Sequence, residues 1–316
     1  MSASVIYDRI GVLFLKREFI RMKKHILLVD GMALLFRSFY ATAVHRNFMI
    51  NDRGVPTNGV NGYLKHLLTA VQTFEPTHIV CCWDMGSQTY RNELFQDYKA
   101  NRGEPPVELI PQFDLAKEAT EELGIVNVGL KGFEADDCIG TLAALYQKEA
   151  RVTVLTGDKD LLQILNDHVT VALMQKGIGN YKQYTKALFE EEMGISPKAL
   201  IDMKALMGDS SDNYPGVKGI GEKTALKFIQ TYQTIDRLLE HVHELTAAQQ
   251  KKMQAGLEDL KLSRILAEIK CDVPLSCPID ETKVNINPER AAAMLRLHQI
   301  KGIEPMVNRL SEIEIS

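Results

Sequence analysis

Short apolar runs rich in branched residues alternate with stretches of helical period through the first part of the chain. His25 to Val29, His78 to Trp83, Ile125 to Val128, Val152 to Thr156 and Val169 to Leu173 read as buried strands, with Tyr181 to Tyr184 an edge piece. Between them, Leu34, Leu35 and Arg37 lie in a helical pattern, and Gly59 to Phe74 forms another. Ile139, Leu142, Ala143 and Tyr146 repeat at i, i+3, i+4 and i+7. Strands and helices alternating at this spacing predict an α/β fold, a mostly parallel central sheet with helices on both faces. After about residue 185 the strand signals stop. Ser196-Pro197 reads as the cap and first position of a helix that carries Lys204 and runs to Met207. Residues 226 to 270 are helical and Lys-rich, and beyond Cys271 come a loop and two short helical patterns.

The polar positions carry a second pattern: strands end in acids. Asp30 and Asp84 follow the first two strands, Gly157-Asp158-Lys159-Asp160 follows the fourth, and the third leads into Gly132-Phe133-Glu134-Ala135-Asp136-Asp137. Open α/β sheets place ligands at the carboxyl ends of their strands. A lone strand-end Asp also serves as a helix cap, and acids in a first helical turn suit the helix dipole. Against that, like charges 4 Å apart repel by about 4 kcal/mol at a surface-like dielectric, a repulsion that a bound cation offsets. For each stretch alone both readings stand.

Residues 87 to 104 interleave Tyr90, Arg91, Tyr98, Lys99 and Arg102 until Pro105-Pro106 stops any helix. A solvated amphipathic helix and a nucleic-acid contact explain this composition equally well. A second acidic turn, Gly208-Asp209-Ser210-Ser211-Asp212-Asn213, precedes the run Gly216-Val217-Lys218-Gly219-Ile220-Gly221-Glu222-Lys223-Thr224. That run fails as a phosphate loop of the nucleotide-binding kind, because Glu222 separates the last glycine from Lys223 and no strand precedes it. It suits a hairpin between helices, where amide groups and a helix N-terminus approach a backbone phosphate beside Lys218, Lys223 and Lys227.

If the strands are parallel neighbours, Asp30, Asp84, Glu134, Asp136, Asp137, Asp158 and Asp160 meet at one sheet edge, and the helical part must add Asp209 and Asp212. Oxygen donors without His or Cys suit Mg²⁺ or Mn²⁺, and a pair of such ions fits phosphodiester hydrolysis. A structural calcium site is the alternative, but the spacing of the familiar helix–loop–helix calcium loop is absent.

The 316 residues, 45% hydrophobic and 25% charged, are globular in composition, and a net charge of −4 carries no overall basic signature of nucleic-acid binding. Five cysteines without CxxC spacing read as reduced thiols of a cytoplasmic protein. No stretch approaches the roughly 20 apolar residues of a membrane span. Residues 1–22 carry no motif and read as an N-terminal appendage.

Taken together, Leu28-Val29-Asp30-Gly31, Asp97-Tyr98-Lys99-Ala100-Asn101-Arg102, the acidic stretch from Gly132, Thr156-Gly157-Asp158-Lys159-Asp160, the turn from Met207 to Asn213 and the glycine hairpin resemble, in order, the 5′-nuclease (flap endonuclease) superfamily. The resemblance runs from about residue 23 to 300 and is greatest to the N-terminal 5′→3′ exonuclease domain of bacterial DNA polymerase I, here occurring alone. It implies a PIN-like 5′-nuclease region at 23–190 with a helical arch at about 86–106. A helix-hairpin-helix DNA-binding region with C-terminal helices is implied at 191–316. It also implies a metal-dependent 5′→3′ exonuclease and 5′-flap endonuclease, acting on DNA with 5′ ends, flaps or nicks and on RNA primers or RNA–DNA hybrids, as in Okazaki primer removal. Asp30, Asp84, Glu134 and Asp136 would hold a first ion, Asp137 would lie between, and Asp158, Asp160, Asp209 and Asp212 would serve a second. Lys99 and Arg102 would neutralise the scissile phosphate, with Tyr98 orienting or stacking on the nucleotide. Arg37 and Lys204 would be further phosphate contacts. A potassium ion at the hairpin would take backbone carbonyls of Leu206, Met207, Pro215, Val217 and Ile220. A monomer is expected. A DNA-structure binder without activity would lack several acids, and a toxin-like sheet-edge ribonuclease would lack the hairpin and arch.

Overall fold

The structure, a computed structural model, describes residues 24–43 and 48–311. The N-terminal appendage, including its supposed end at residue 22, lies outside them. Six strands form one sheet in the order β3-β2-β1-β4-β5-β6: β1 Lys24–Asp30, β2 His78–Cys82, β3 Val126–Val128, β4 Ala150–Thr156, β5 Val169–Met174 and β6 Tyr181–Tyr184. The first five run parallel and β6 closes the edge antiparallel. The order reverses at β1, which pairs with β2 on one side and β4 on the other, with Asp30 opposite Cys82 and Val29 opposite Leu155. That reversal is the topological switch point at which such sheets open a crevice beyond their carboxyl ends.

Burial on both faces explains why these strands read as unbroken apolar runs. Ile26 and Leu28 of β1 face one core, with Val80, Val152 and Val171. Their neighbours Leu27 and Val29 face the other, with Ile79 and Cys81, as the two-residue period of a strand requires. The second core is covered by α1 (Gly31–Thr42), α2 (Asn58–Phe74) and, beyond the five-residue α3 (Tyr90–Leu94), by α4 (Ile110–Glu122). The first is covered by α5 (Ala135–Tyr146) and continues into the helical part, through Phe189 of α6 (Lys186–Met193), Leu206 of α7 (Ala199–Met207), Val217 and Ile220 of the hairpin and Phe228 of α8 (Glu222–Tyr232).

Four departures from the sequence expectations stand out. The segment expected as a helical arch is helical only over Tyr90–Leu94; turns follow through Arg102. Helix α7 starts at Ala199 and not at Ser196-Pro197, which form the turn before it: Ser196 and Pro197 offer their carbonyls to Ala199 and Leu200. The Lys-rich run after 226 is broken into α8, α9 (Ile235–Glu240), α10 (Ala247–Ala255) and α11 (Leu257–Ala267). Finally, α12 (Pro288–Leu297) and α13 (Glu304–Ser311) do not join the hairpin. Lys283 bridges His78 of β2, and Ala291, Leu295, Ile303 and Val307 pack into the second core.

Candidate active site

The acids at the sheet edge are placed by backbone before anything binds them. Asp30 ends β1 and caps α1, accepting the Ala33 N–H at 2.9 Å on one carboxylate oxygen and the Thr156 hydroxyl at 2.8 Å on the other. Gly31 follows because a Cβ there would stand 2.7 Å from the Trp83 ring. Burial pushes the Asp30 carboxyl up to about 6; the Ala33 and Thr156 hydrogen bonds oppose the shift, and the charges of Asp84 and Asp158 add to it. Asp84 accepts the Ala135 N–H at 2.7 Å, which fixes the start of α5 against the end of β2. Its carboxyl too is raised by burial, against the Ala135 bond.

Glu134 is the cap residue of α5 and Asp136 lies in its first turn. Burial, then repulsion from Asp30, Asp158 and Glu134, holds the Asp136 carboxyl well above the usual range. Asp136 has no hydrogen-bond or ion-pair partner among the described residues. Asp158, exposed beyond β4, accepts only the Asp160 N–H, at 2.8 Å.

Lysine and arginine side chains join these acids to the helical part. Lys204 Nζ lies 2.7 Å from Asp160 Oδ1 and also donates to Asp209. Burial and the nearby Asp158 raise Asp160 to about 6, against the pull of Lys204. Burial would raise Asp209 as well, but bonds from Lys204 and Ser211 outweigh it and hold the carboxyl at about 2. Lys99 Nζ lies 2.6 Å from Glu134 Oε1, and Arg102 Nη2 lies 2.5 Å from Asp212 Oδ1. The Lys99 N–H also donates to the Asp212 carbonyl from a backbone at φ +56°, an uncommon conformation for a side-chain-bearing residue. Asp209 and Asp212 therefore reach the edge that Asp160 and Glu134 occupy.

Not every expected residue takes its expected place. Asp137 is fully buried, and Arg91 holds both its oxygens at 2.7 and 2.9 Å. The Glu134 and Lys270 N–H groups also donate to it, so its carboxylate is used up inside the fold and does not lie open between two ions. Tyr98 is 3% exposed, packed with Ile201, Tyr214 and Leu266. Its hydroxyl donates to Asp212 at 3.0 Å and Glu134 at 3.3 Å, so it orients acids; its ring is closed off from stacking on a base. Arg37 donates to the Gln175 carbonyl. Arg91, read from composition as one cation of an exposed stretch, is 2% exposed; no signal in its neighbours announces that burial.

At the hairpin the Val217 N–H donates to the Leu206 carbonyl and the Ile220 N–H to the Val217 carbonyl, both at 2.9 Å. Gly216, at φ +58°, lies so close to the end of α7 that a Cβ would meet Gly208 N at 2.2 Å. Gly221 leads into α8, with Lys218, Gly219, Glu222 and Lys223 exposed and Thr224 partly so.

As the side chains stand, no three acidic, His or Cys groups among the described residues converge to hold an ion. The donor set nonetheless fits a divalent cation. It is all oxygen, the carboxyls of Asp30, Asp136 and Asp160 are forced up by burial and by the charges of neighbouring acids, and Asp136 is unpartnered.

Residues 25–194 match the family model of the 5′-3′ exonuclease N-terminal resolvase-like domain, and 195–291 that of the 5′-3′ exonuclease C-terminal SAM fold. A 5′-3′ exonuclease of Bacillus subtilis is 71% identical over 290 residues, 92% of this chain and 98% of that protein. DNA polymerase I of Bacillus caldotenax is 39% identical over 82% of this chain, which spans 29% of the polymerase. The bacteriophage T5 flap endonuclease, solved as a pseudo-enzyme-product complex with DNA and metal ions, shares the fold at a TM-score of 0.62 and 20% identity, covering 92% of this chain and 100% of that one. The T5 5′-exonuclease with bound zinc gives 0.63 at the same identity, over 92% of this chain and 99% of its own. With two family models matched in succession and a relative so similar over nearly its whole length, the chain belongs to the 5′-3′ exonuclease family of nucleases.

Proposed function

We propose that this protein hydrolyses DNA phosphodiesters from 5′ ends and cuts 5′ flaps, with two Mg²⁺ or Mn²⁺ ions bound at the sheet edge. The observation that carries the reading is that Lys204 bridges Asp160 to Asp209 while Tyr98 bridges Glu134 to Asp212, drawing acids from two parts of the chain toward one sheet edge. Asp30, Asp84, Glu134 and Asp136 would hold the first ion; Asp158, Asp160, Asp209 and Asp212 would serve the second. When bound, such ions lower the pKa of a water and stabilise the leaving oxygen.

The remaining steps belong to the chain. Lys99 and Arg102, paired with Glu134 and Asp212 in the free protein, exchange those partners for the scissile phosphate as substrate enters. Tyr98 keeps Glu134 and Asp212 oriented through the exchange. Arg37 would have to give up its bond to the Gln175 carbonyl to contact a phosphate. Lys204, expected at a phosphate, is held by two carboxylates and acts instead as the cation joining the second acid group.

Residues up to about 190 form the catalytic region and those from 191 the duplex-binding one, from which α12 and α13 return to the sheet. Exposed Lys218, Gly219, Gly221, Glu222 and Lys223, with Thr224, meet the duplex behind the cut. Carbonyls of Leu206, Met207, Pro215, Val217 and Ile220 would hold a potassium ion where α7 ends against the hairpin. RNA-primer removal by a cytoplasmic monomer is the natural role. In support of a reducing compartment, Cys81, Cys82, Cys138, Cys271 and Cys277 are all unpaired. Among the described residues no helix is long and apolar enough to cross a membrane.

The test is digestion of matched 5′-flap, nicked, blunt and single-stranded substrates, with DNA or RNA 5′ segments, across a Mg²⁺ and Mn²⁺ titration. Metal-independent cleavage, or equal cleavage of single strands and flaps, would overturn the reading.

A further inference from the structure

Helix α11 ends at Ala267, and its last two residues, Leu266 and Ala267, together with Glu268 to Lys270 beyond it, pass the site as a strap. Its polar backbone groups are taken alternately from two sides. On one side Arg91 Nε donates to the Leu266 carbonyl at 3.1 Å and Nη2 to the Glu268 carbonyl at 2.8 Å, while the Lys270 N–H donates to Asp137 at 2.9 Å. On the other, Gln163 donates to the Ala267 carbonyl at 3.1 Å and accepts the Ile269 N–H at 2.9 Å.

What stands on the two sides gives the arrangement its meaning. The pair Arg91–Asp137 is fastened into the first turn of α5: Asp137 follows Asp136 directly and accepts the Glu134 N–H at 3.1 Å, and Arg91 Nη1 lies 3.5 Å from Glu134 Oε2. Gln163 belongs to the 3-10 helix Asp160–Ile164, which begins at an acid of the second group. The strap thus spans from the helix bearing Glu134 and Asp136 to the turn bearing Asp160.

We infer that Arg91, Asp137 and Gln163 are positioning residues that use the strap as a ruler, fixing the separation of the two acidic groups. A buried ion pair is a poor device for stability alone, since desolvation offsets much of its attraction. An Arg fork that grips one carboxylate and two carbonyls at once is a good device for geometry, and no lysine reproduces it. Groups behind metal ligands commonly alter metal affinity by about 10–100-fold when removed. The inference rests on the two-ion reading above.

The experiment is calorimetric titration of the full chain with Mg²⁺ or Mn²⁺, in parallel with hydrogen exchange at Ile269 and Lys270 and with thermal unfolding. The variants are Arg91→Lys, Asp137→Asn and Gln163→Met; the last removes both of its strap bonds without burying a charge, and serves if the other two do not fold. We expect wild type to take up two ions and each folded variant to bind at least one of them about tenfold or more weakly. The strap amides should exchange faster in the variants, and excess metal should recover most of kcat. Arg91→Lys and Gln163→Met should be less than additive when combined, since both act through one strap. Gln163→Met binding both ions as wild type does, with its strap amides deprotected, overturns the ruler. Loss of Tm with metal affinities unchanged reduces the three residues to a structural role and also overturns it. Fewer than two ions in wild type itself sinks the two-ion reading, and the ruler with it.

Discussion

Lys204 and Asp160 meet at 2.7 Å, an ammonium of α7 set on a carboxylate beyond β4. Because the same ammonium also holds Asp209, one cation compensates two acids that approach it from different parts of the chain. Lys204→Met should leave them repelling without metal. The pair is only partly buried, so the loss falls between the exposed and buried cases, about 1–3 kcal/mol. Added Ca²⁺ should restore part of it by binding the folded state. Urea unfolding in EDTA and in Ca²⁺ measures both effects; a variant as stable as wild type in EDTA would mean that the ammonium joins nothing.

Asp136 and Asp212 should fail differently. Asp136 is unpartnered at the centre of the first group, and Asp136→Ala should abolish cleavage of every substrate even at high Mn²⁺ while leaving flap binding intact. Asp212 is already neutralised by Arg102 and hydrogen-bonded by Tyr98. Asp212→Ala should lose exonuclease action at low Mg²⁺ and regain part of its endonuclease action as metal rises. One labelled flap followed across a metal titration, with binding measured in Ca²⁺, decides. Near-wild-type cleavage by Asp136→Ala would remove the first group from the mechanism.

Lys223 is exposed in the first turn of α8, at the end of the hairpin. As a phosphate contact made in ground state and transition state alike, it would contribute uniform binding, so Lys223→Ala should raise KM and leave kcat near wild type. The salt dependence of binding should fall by about one counterion. Collapse of kcat at saturating substrate would place Lys223 in the chemistry instead.

His25 supplies the pH prediction. Burial, then the Arg151 charge, lowers its pKa from 6.5 to about 4. The neutral ring has a defined tautomer: Nδ1 accepts from Arg151 at 3.0 Å and Nε2–H donates to Thr153 at 2.9 Å. Between about 4 and 6.5 the unfolded chain binds the extra proton, so acid favours unfolding. His25's contribution is complete above 6.5 and is lost as the pH falls through about 4, by up to about 3 kcal/mol. Urea midpoints at pH 7.5 and 5 should therefore converge in His25→Gln relative to wild type. Parallel pH profiles for the two proteins would show that the ring titrates normally.

The strands and their terminal acids were legible because both signals are local. A run buried on both faces has no polar face to confuse it, and an acid at its end stands where the backbone puts it. Arg91 was not legible, because its burial depends on a carboxylate 46 residues away and carbonyls about 175 away. Tyr98 misled for the same reason: an aromatic among cations suits base stacking, but Ile201, Tyr214 and Leu266 arrive from the helical part to cover it. Ser196-Pro197 had the residues of a helix start, and its turn geometry placed the helix two residues later. Strand ends could be read from neighbours in sequence; the ion pairs that cross between the two parts, Lys204 to Asp160 and Arg102 to Asp212, join residues 44 and 110 positions apart.

The return of α12 and α13 to the sheet sets the order in which the molecule can be completed during synthesis. Asn61 donates to the Lys301 carbonyl at 2.7 Å, and Leu27, Leu64 and Ile79 share a core with Ile303 and Val307. A nascent chain on the ribosome, even with every acid and the whole hairpin already emerged, still has an apolar sheet face waiting for its cover. Such uncovered surface is what draws chaperones and aggregation. A chain cut short just after the hairpin would carry every acid and lack both the strap and the lid of its own core.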